Sequence, residues 1–433
     1  MKHVIRKAAV LGAGVMGSGI AAHLANAGIP VVLLDIVPPK AAPGEDTSTR
    51  AFRNKFALGG LEKLKKTKPA PLFTAAHGRL ITAGNLEDDL ALLAECDWIV
   101  EAVTESLAIK QALFTKIEPH LKPTCIVSSN TSGLSITGML EGRTAAFRSR
   151  FCVTHFFNPV RYMKLLELVP GPETAADVLP TLHAFGEETL GKGIVYGKDT
   201  TNFIANRIGV YGMMKVMAEM QAAELTVEEI DKIMGPAMGR PSSAVFRTAD
   251  LVGLDTFVHV SQNCYDTLVN DEERNLFAIP DFAKAMVQAG RLGDKTQQGF
   301  YKKSRGADGK STILALDLTT GEYREQKKVR FDSLGAVRSI ENTGERIKAL
   351  FGHGDKASTF AERVTLATLA YSARRIPEIA DDLVNIDRGM RWGFGWEMGP
   401  FETWDALGVR ATVDRMKALG LTVAPWVEAM LAA

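Results

Sequence analysis

Apolar residues come in short unbroken blocks over the first 200 positions and at helical spacing after that. The blocks at 7–11, 30–34, 81–83, 98–103, 125–128, 151–155, 165–169 and 193–196 are short and rich in Ala, Val, Ile and Leu. Such blocks predict strands covered on both faces. Between them, 18–27, 51–66, 72–80, 88–94, 109–120, 135–140 and 175–190 read as helices, ended by Gly28, by Pro69 and Pro71, or by Pro123. Strand and helix in alternation predict an α/β domain with a mainly parallel sheet. The stretch K-D-T-T-N-F-I-A-N-R (198–207) opens a strongly apolar helix, and the pattern then stays helical. At 304–330 it breaks into a linker, in which 313–318, Thr319-Thr320-Gly321 and 322–326 predict a β-hairpin.

The helical half repeats. F-I-A-N-R (203–207) aligns with T-F-A-E-R (359–363), and Ile230-Asp231-Lys232 with Ile386-Asp387-Arg388, at one offset. Asp250 and Gly253 align with Asp405 and Gly408 after a one-residue slip. The expected organisation is an α/β dinucleotide-binding domain at 1–199 with a helical insertion at about 50–80. A first helical domain at 200–303, the linker at 304–330 and a second, degenerate helical domain at 331–433 follow.

The first strand runs into Gly12-Ala13-Gly14-Val15-Met16-Gly17, then a helix, then a strand ending in Asp35. Gly12 permits the turn, Gly14 lets a pyrophosphate near the backbone, and Gly17 lets helix and strand close up. The free N–H groups of the helix start hold the phosphate charge. Asp35 accepts from the ribose hydroxyls and repels a 2′-phosphate, so NAD is expected rather than NADP.

Further along the chain His155 closes an apolar strand, and Glu167 sits alone among Leu and Val. A carboxylate there is costly unless paired. Pairing with His155 gives the base and orienter that acid–base catalysis uses. Two ordinary buried polar residues are the alternative. Glu105, Asn130, Ser132 and His155 all fall at carboxyl ends of strands, where open α/β sheets bind ligands, although Thr131 or Ser132 read equally as a cap for the helix at 135–140.

The totals narrow the classes. With 51 basic and 50 acidic residues in 433, there is no electrostatic case for nucleic acid or an anionic membrane as partner, and no run approaches the ~18–20 apolar residues of a membrane-spanning helix, so no membrane insertion is expected. The four cysteines lack C-x-x-C spacing and read as reduced core thiols of a cytoplasmic protein, and the eight histidines form no metal-ligand pattern. The helical insertion is basic, with Arg53, Lys55, Lys63, Lys65, Lys66 and Lys68, a solvated face from which one or two lysines meet an anionic substrate tail.

The sequence resembles the L-3-hydroxyacyl-CoA dehydrogenases of fatty-acid β-oxidation. The resemblance rests on G-A-G-V-M-G-S-G-I (12–20), V-E-A-V-T-E (100–105), S-N-T-S (129–132), H-F-F-N-P (155–159), K-L-L-E-L (164–168) and K-D-T-x-x-F-I-x-N-R (198–207). It implies that His155 is the general base and Glu167 its partner. Ser132 and Asn206 would bind substrate, and Glu105 and Lys110 would help hold the cofactor. The insertion would cover CoA, with Lys63, Lys66 and Lys68 as its candidate contacts. The Gly-rich loop (Gly12, Gly14, Val15, Met16, Gly17), Asp35 and Asn130 complete the NAD set. The reaction implied is NAD-dependent oxidation of L-3-hydroxyacyl-CoA to 3-ketoacyl-CoA. Single-copy relatives dimerise through the helical domain, so the repeat implies an internal pseudo-dimer and a monomeric chain. Copy two has Glu362 where copy one has Asn206, so it is not expected to be a second active site. An enoyl-CoA hydratase or thiolase would be a partner, on another polypeptide or on a longer chain. One departure stands near the site: Thr201-Asn202 replaces the family's usual Pro-Gly, a turn that Asn also makes. The rival readings are a dehydrogenase of a free hydroxy acid and a non-catalytic NAD-binding scaffold.

Overall fold

The computed structural model describes residues 4–305 and 311–433. It divides into two compact units, Met1–Phe203 and Ile204–Ala433.

The first unit is an eight-stranded sheet with helices on both faces. Its strands are β1 (Ala8–Leu11), β2 (Val31–Asp35), β3 (Ile81–Asn85), β4 (Trp98–Glu101), β5 (Ile126–Ser129), β6 (Phe151–Phe156), β7 (Leu165–Pro170) and β8 (Gly193–Tyr196). They lie in the order β3-β2-β1-β4-β5-β6-β7-β8, all pairs parallel except β6–β7. Strand order reverses at β1, which pairs with both β2 and β4. That reversal is where such sheets open a crevice for ligands. Successive β1 residues feed opposite cores: Ala8 and Val10 join Leu33, Trp98 and Val100, while Ala9 and Leu11 join Leu34, Ile99 and Val127.

Helix α1 (Val15–Asn26) starts inside the glycine motif, three residues before the pattern suggests. The insertion forms α2 (Arg50–Arg53) and α3 (Lys55–Lys66), interrupted at Asn54, whose side chain accepts from Asn85 at 2.7 Å. The helices expected at 72–80 and 88–94 shrink to 3₁₀ turns, Ala75–Leu80 and Leu90–Glu95. Helix α4 (Leu107–Ile117) follows β4, and α5 (Ile136–Met139) and α6 (Ala145–Ser149) lie between β5 and β6. Ser135 caps α5, so Thr131 and Ser132 are not its caps. Helix α7 (Val178–Ala184) continues as a single π turn, Phe185–Thr189.

The second unit is helical. Copy one contains α8 (Ala205–Ala222), α9 (Val227–Ile233), α10 (Phe246–Val252), α11 (Leu254–Thr267) and α12 (Asp281–Gln288). A small antiparallel sheet follows, with β9 (Tyr301–Arg305), β10 (Ser311–Leu316) and β11 (Tyr323–Glu325). The expected hairpin is its β10–β11 pair. The third strand, β9, was hidden in the polar run Y-K-K-S-R, and part of the linker, 306–310, lies outside the described residues. Copy two contains α13 (Asp332–Ala336), α14 (Thr343–Phe351), α15 (Lys356–Arg374), α16 (Leu383–Gly393), α17 (Pro400–Leu407), α18 (Val409–Ala418) and α19 (Pro425–Ala432).

The repeat is structural. Asp231 on α9 accepts the N–H groups of Val245, Phe246 and Arg247 and so caps α10. Its counterpart Asp387 on α16 accepts those of Phe401 and Glu402 and caps α17. Gly253 (φ 100°) and Gly408 (φ 89°) make the same break between α10 and α11 and between α17 and α18. The copies meet at equivalent positions. A Cβ on Gly212 would stand 3.7 Å from Thr368, 156 residues on, and the Arg240 guanidinium lies 4.2 Å over the ring of Trp396, again 156 residues on. Self-equivalent contacts mark a two-fold, isologous interface. Around it Tyr211 stacks on Tyr371 at 3.8 Å, and Arg207 pairs with Asp271 at 2.6 Å and Glu378 at 2.9 Å. Among the described residues no helix is long and apolar enough to cross a membrane.

Candidate active site

The crevice at β1 is built by three glycines with different jobs. Gly12 has φ 99°, and a Cβ there would meet Ala102 O at 2.6 Å. A Cβ on Gly17 would fall 1.8 Å from Gly12 O, so α1 can approach the turn only with glycine there. Gly14 differs: nothing lies within 4 Å of its Cβ position. Its side of the loop faces open space, α1 carries no side-chain cap and no acidic residue in its first turn, and Val15 is 75% exposed. An uncapped, uncompensated helix start beside a bare glycine fits a pyrophosphate. Met16 is half-buried behind Val15. Asp35 at the end of β2 accepts Ala13 N–H at 2.6 Å and Ile36 N–H at 2.7 Å, bracing the loop while keeping lone pairs for ribose hydroxyls. The residues present fit NAD.

The insertion is moored to this loop. A Cβ on Gly60 of α3 would lie 2.5 Å from Ser18 Oγ and 2.8 Å from Ala13 O. The side chains of Lys63, Lys66 and Lys68 are exposed and have no hydrogen-bond or ion-pair partner among the described residues, whereas Lys65 pairs with Glu62.

Along the same edge, the loops after β4 and β5 meet. Glu105 Oε1 accepts from the Thr131 hydroxyl, from Ser132 N–H at 2.9 Å and from the Ser132 hydroxyl at 3.3 Å. Burial pushes the Glu105 carboxyl up, but Lys110 and these donors outweigh it, leaving its pKa below the ordinary value. Asn130 Oδ1 accepts Phe156 N–H at 2.9 Å, tying the end of β5 to the end of β6 and leaving its NH₂ without a partner among the described residues. Lys110 follows on α4. It is 1% exposed and its ammonium is taken up by Glu101 at 2.7 and 2.8 Å and Glu105 at 3.2 Å. Its ammonium thus joins Glu101 to Glu105. The sequence signal for Glu101 was faint: an acid closing an apolar strand, nine residues before a lysine.

The antiparallel register of β6 and β7 sets His155 directly opposite Glu167. Their side chains share a sheet face, and His155 Nδ1 stands 2.6 Å from Glu167 Oε2. Glu167 is fully buried and His155 is 6% exposed. A carboxylate at Nδ1 holds the proton there and leaves the Nε2 lone pair free; Nε2 has no partner among the described residues. The rings of Phe157 and Phe203 flank the imidazole at 4.5 and 5.7 Å. Phe203 arrives through the T-T-N-F turn, where Asn202 takes φ 64° as expected of the Pro-Gly replacement, and Phe203 itself φ 48°. Asp199 anchors that turn by accepting Ile136 N–H at 3.2 and 3.1 Å. Asn206 lies in the second unit, half-buried in the first turn of α8. Its counterpart Glu362 is engaged by Arg415 at 2.9 Å.

All four cysteines are free and buried, and burial raises the Cys96 thiol to about 11 and the Cys125 thiol to about 12.

A family model described as the NAD-binding domain of 3-hydroxyacyl-CoA dehydrogenase matches residues 7–200, and one described as the C-terminal domain matches 203–303. A probable 3-hydroxyacyl-CoA dehydrogenase of Bacillus subtilis is 49% identical over 435 residues, covering 99% of this chain and 54% of that protein. This chain thus spans about half the length of that relative. A protein of the same description from Deinococcus radiodurans is 48% identical over 301 residues, covering 70% of this chain and 84% of its own. The crystal structure of 3-hydroxybutyryl-CoA dehydrogenase from Escherichia coli K12 shares the fold, with TM-score 0.72 at 20% identity over 99% of this chain and 98% of that one.

Proposed function

The chain belongs to the 3-hydroxyacyl-CoA dehydrogenase family, and from that premise we propose that it interconverts an L-3-hydroxyacyl-CoA and the 3-ketoacyl-CoA at the expense of NAD. The observation that carries this reading is the buried His155–Glu167 pair with a free Nε2 at the ligand-binding edge of the sheet. Gly12, Gly14, Val15, Met16, Gly17 and Asp35 would hold the cofactor, with Asn130 and Glu105 nearer its far end. When bound, the nicotinamide supplies the acceptor for the C3 hydride. His155 Nε2 takes the C3 hydroxyl proton as the C3–H bond breaks, and returns it in the reverse direction. Glu167 keeps the ring in the accepting tautomer and stabilises the imidazolium as it forms. Ser132 would orient the reacting oxygen. The Phe157 and Phe203 rings keep water from the imidazole.

The exposed, unpaired Lys63, Lys66 and Lys68 support a CoA ester rather than a free acid, because they offer cations to the nucleotide phosphates of CoA. In this reading the substrate is the product of enoyl-CoA hydration, so the proposed partners are a hydratase and a thiolase of fatty-acid oxidation. The self-equivalent contacts between helical copies support an internal pseudo-dimer. The test is NADH consumption with acetoacetyl-CoA, set beside free acetoacetate and beside NADPH. Turnover of the CoA ester with NADH alone is expected. Turnover of the free acid would move the assignment to a hydroxy-acid dehydrogenase, and NADH binding without turnover of either to a scaffold.

A further inference from the structure

We propose that Glu101, which reaches no ligand itself, is the positioning residue for the Ser132 loop. The proposal rests on the reading of Ser132 as a substrate contact.

Glu101 ends β4 and is fully buried. Its carboxylate receives Val103 N–H at 2.7 Å, the Lys110 ammonium on both oxygens at 2.7 and 2.8 Å, and the Ser129 hydroxyl. Lys110, itself 1% exposed, extends to Glu105 Oε2 at 3.2 Å. The other Glu105 oxygen gathers the Thr131 hydroxyl and both the N–H and the hydroxyl of Ser132. Glu101, Lys110, Glu105 and Ser132 thus form one chain of contacts from β4 to the loop after β5.

Two carboxylates share one ammonium, so the position of Lys110 depends on how it is divided between them. The present division favours Glu101, which makes two short contacts against one longer one for Glu105. Without the Glu101 charge, Lys110 has a single anion left and closes on it. Glu105 then turns toward Lys110, and the oxygen that holds Thr131 and Ser132 is withdrawn. The rest of β4 is Trp-Ile-Val, so apolar residues in place of both Glu101 and Lys110 would complete the core there without the desolvation of a buried pair. A buried charge kept at a ligand-facing strand end, spent on orienting a second charge, is what a positioning role requires.

The experiment compares wild type, Glu101→Gln and the double variant Glu101→Gln/Lys110→Met in the holoenzyme. For each, KM and kcat with acetoacetyl-CoA and NADH, NADH affinity by fluorescence without substrate, the pH profile of kcat and the melting temperature are measured. Glu101→Gln is expected to raise KM for the CoA ester by about tenfold or more, the scale of a small misplacement of a binding group. NADH affinity falls with it, because Glu105 faces the cofactor in the same reading. The pH profile stays put, since His155 and Glu167 are not in the chain of contacts. The double variant removes both buried charges, so the melting temperature recovers while KM and NADH affinity do not. Recovery of KM and NADH affinity together with stability would make Glu101 a structural ion-pair residue and overturn the proposal. Unchanged KM and NADH affinity in Glu101→Gln would overturn it as well. If Glu101→Gln does not fold, Glu101→Asp keeps the charge but draws it back from Lys110, and a wild-type KM there refutes the idea. Wild type that ignores acetoacetyl-CoA would instead defeat the proposed function, and NADH affinity would still decide on Glu101.

Discussion

Replacing Glu167 by Gln tests the acid–base pair with little change of shape. Glu167 is fully buried, and its Oε2 sits 2.6 Å from His155 Nδ1, so an amide of the same length fills the same place. What disappears is the charge that meets the imidazolium formed when Nε2 takes the substrate proton. With the two charges centred about 4 Å apart and an effective dielectric constant of about 20, that attraction is about 4 kcal/mol. An amide oxygen turned to Nδ1 keeps a neutral hydrogen bond worth about 1 kcal/mol. The net loss of about 3 kcal/mol is realised only as charge develops, so it falls on kcat, by about 100-fold. The assay is steady-state oxidation of L-3-hydroxybutyryl-CoA followed by NADH absorbance, with NADH affinity as the control for folding. A kcat within about threefold of wild type, with NADH bound normally, would refute the assignment of Glu167 as the partner of a proton-transferring histidine.

The glycine loop gives a contrasting pair. Gly14→Ala should keep the wild-type melting temperature, since nothing lies within 4 Å of the new methyl, yet lose NADH affinity in a fluorescence titration. Gly17→Ala should lose stability as well, because its methyl would fall 1.8 Å from Gly12 O. His23 gives a pH dependence: burial, aided by the Lys192 charge, lowers it to about 4. Its folded pKa is below its unfolded one, so the unfolded chain binds more protons between these values, and stability drains away as pH falls from about 6.5 to about 4. Urea midpoints across that window should flatten in His23→Gln. Finally, light scattering on the eluted protein should give the mass of one chain, because the helical copies already satisfy each other's two-fold interface. A dimer mass would remove the internal pseudo-dimer from the reading.

Much of the site was legible in the sequence because its signals are local. The Gly12, Gly14 and Gly17 spacing with Asp35 encodes a turn, a helix start and a strand end within one α/β unit, and Gly12 and Gly17 make the turn and the close approach that the spacing implied. Asn202 takes the positive φ that the Pro-Gly replacement demanded. Glu167, alone in an apolar strand, asked for a partner, and the β6–β7 register sets His155 beside it. Short amphipathic stretches misled. The helices read at 72–80 and 88–94 are 3₁₀ turns, and β9 carries too many lysines to be recognised without its neighbour.

Pattern along the chain was enough for the strand–helix alternation of the first unit, the dinucleotide loop, the candidate base with its acid, and the duplication of the helical half. Each rests on chain-local sterics, on the cost of burying a charge, or on a repeated pattern. Only the tertiary structure decided which acid Lys110 serves, that Ser135 rather than Thr131 or Ser132 caps α5, and that Gly212 faces Thr368 and Arg240 faces Trp396. Those outcomes depend on which strand ends and helix faces the fold brings together. A buried ammonium settles on whichever carboxylates the sheet sets within reach, and a two-fold contact exists only once two copies of the same helix have packed.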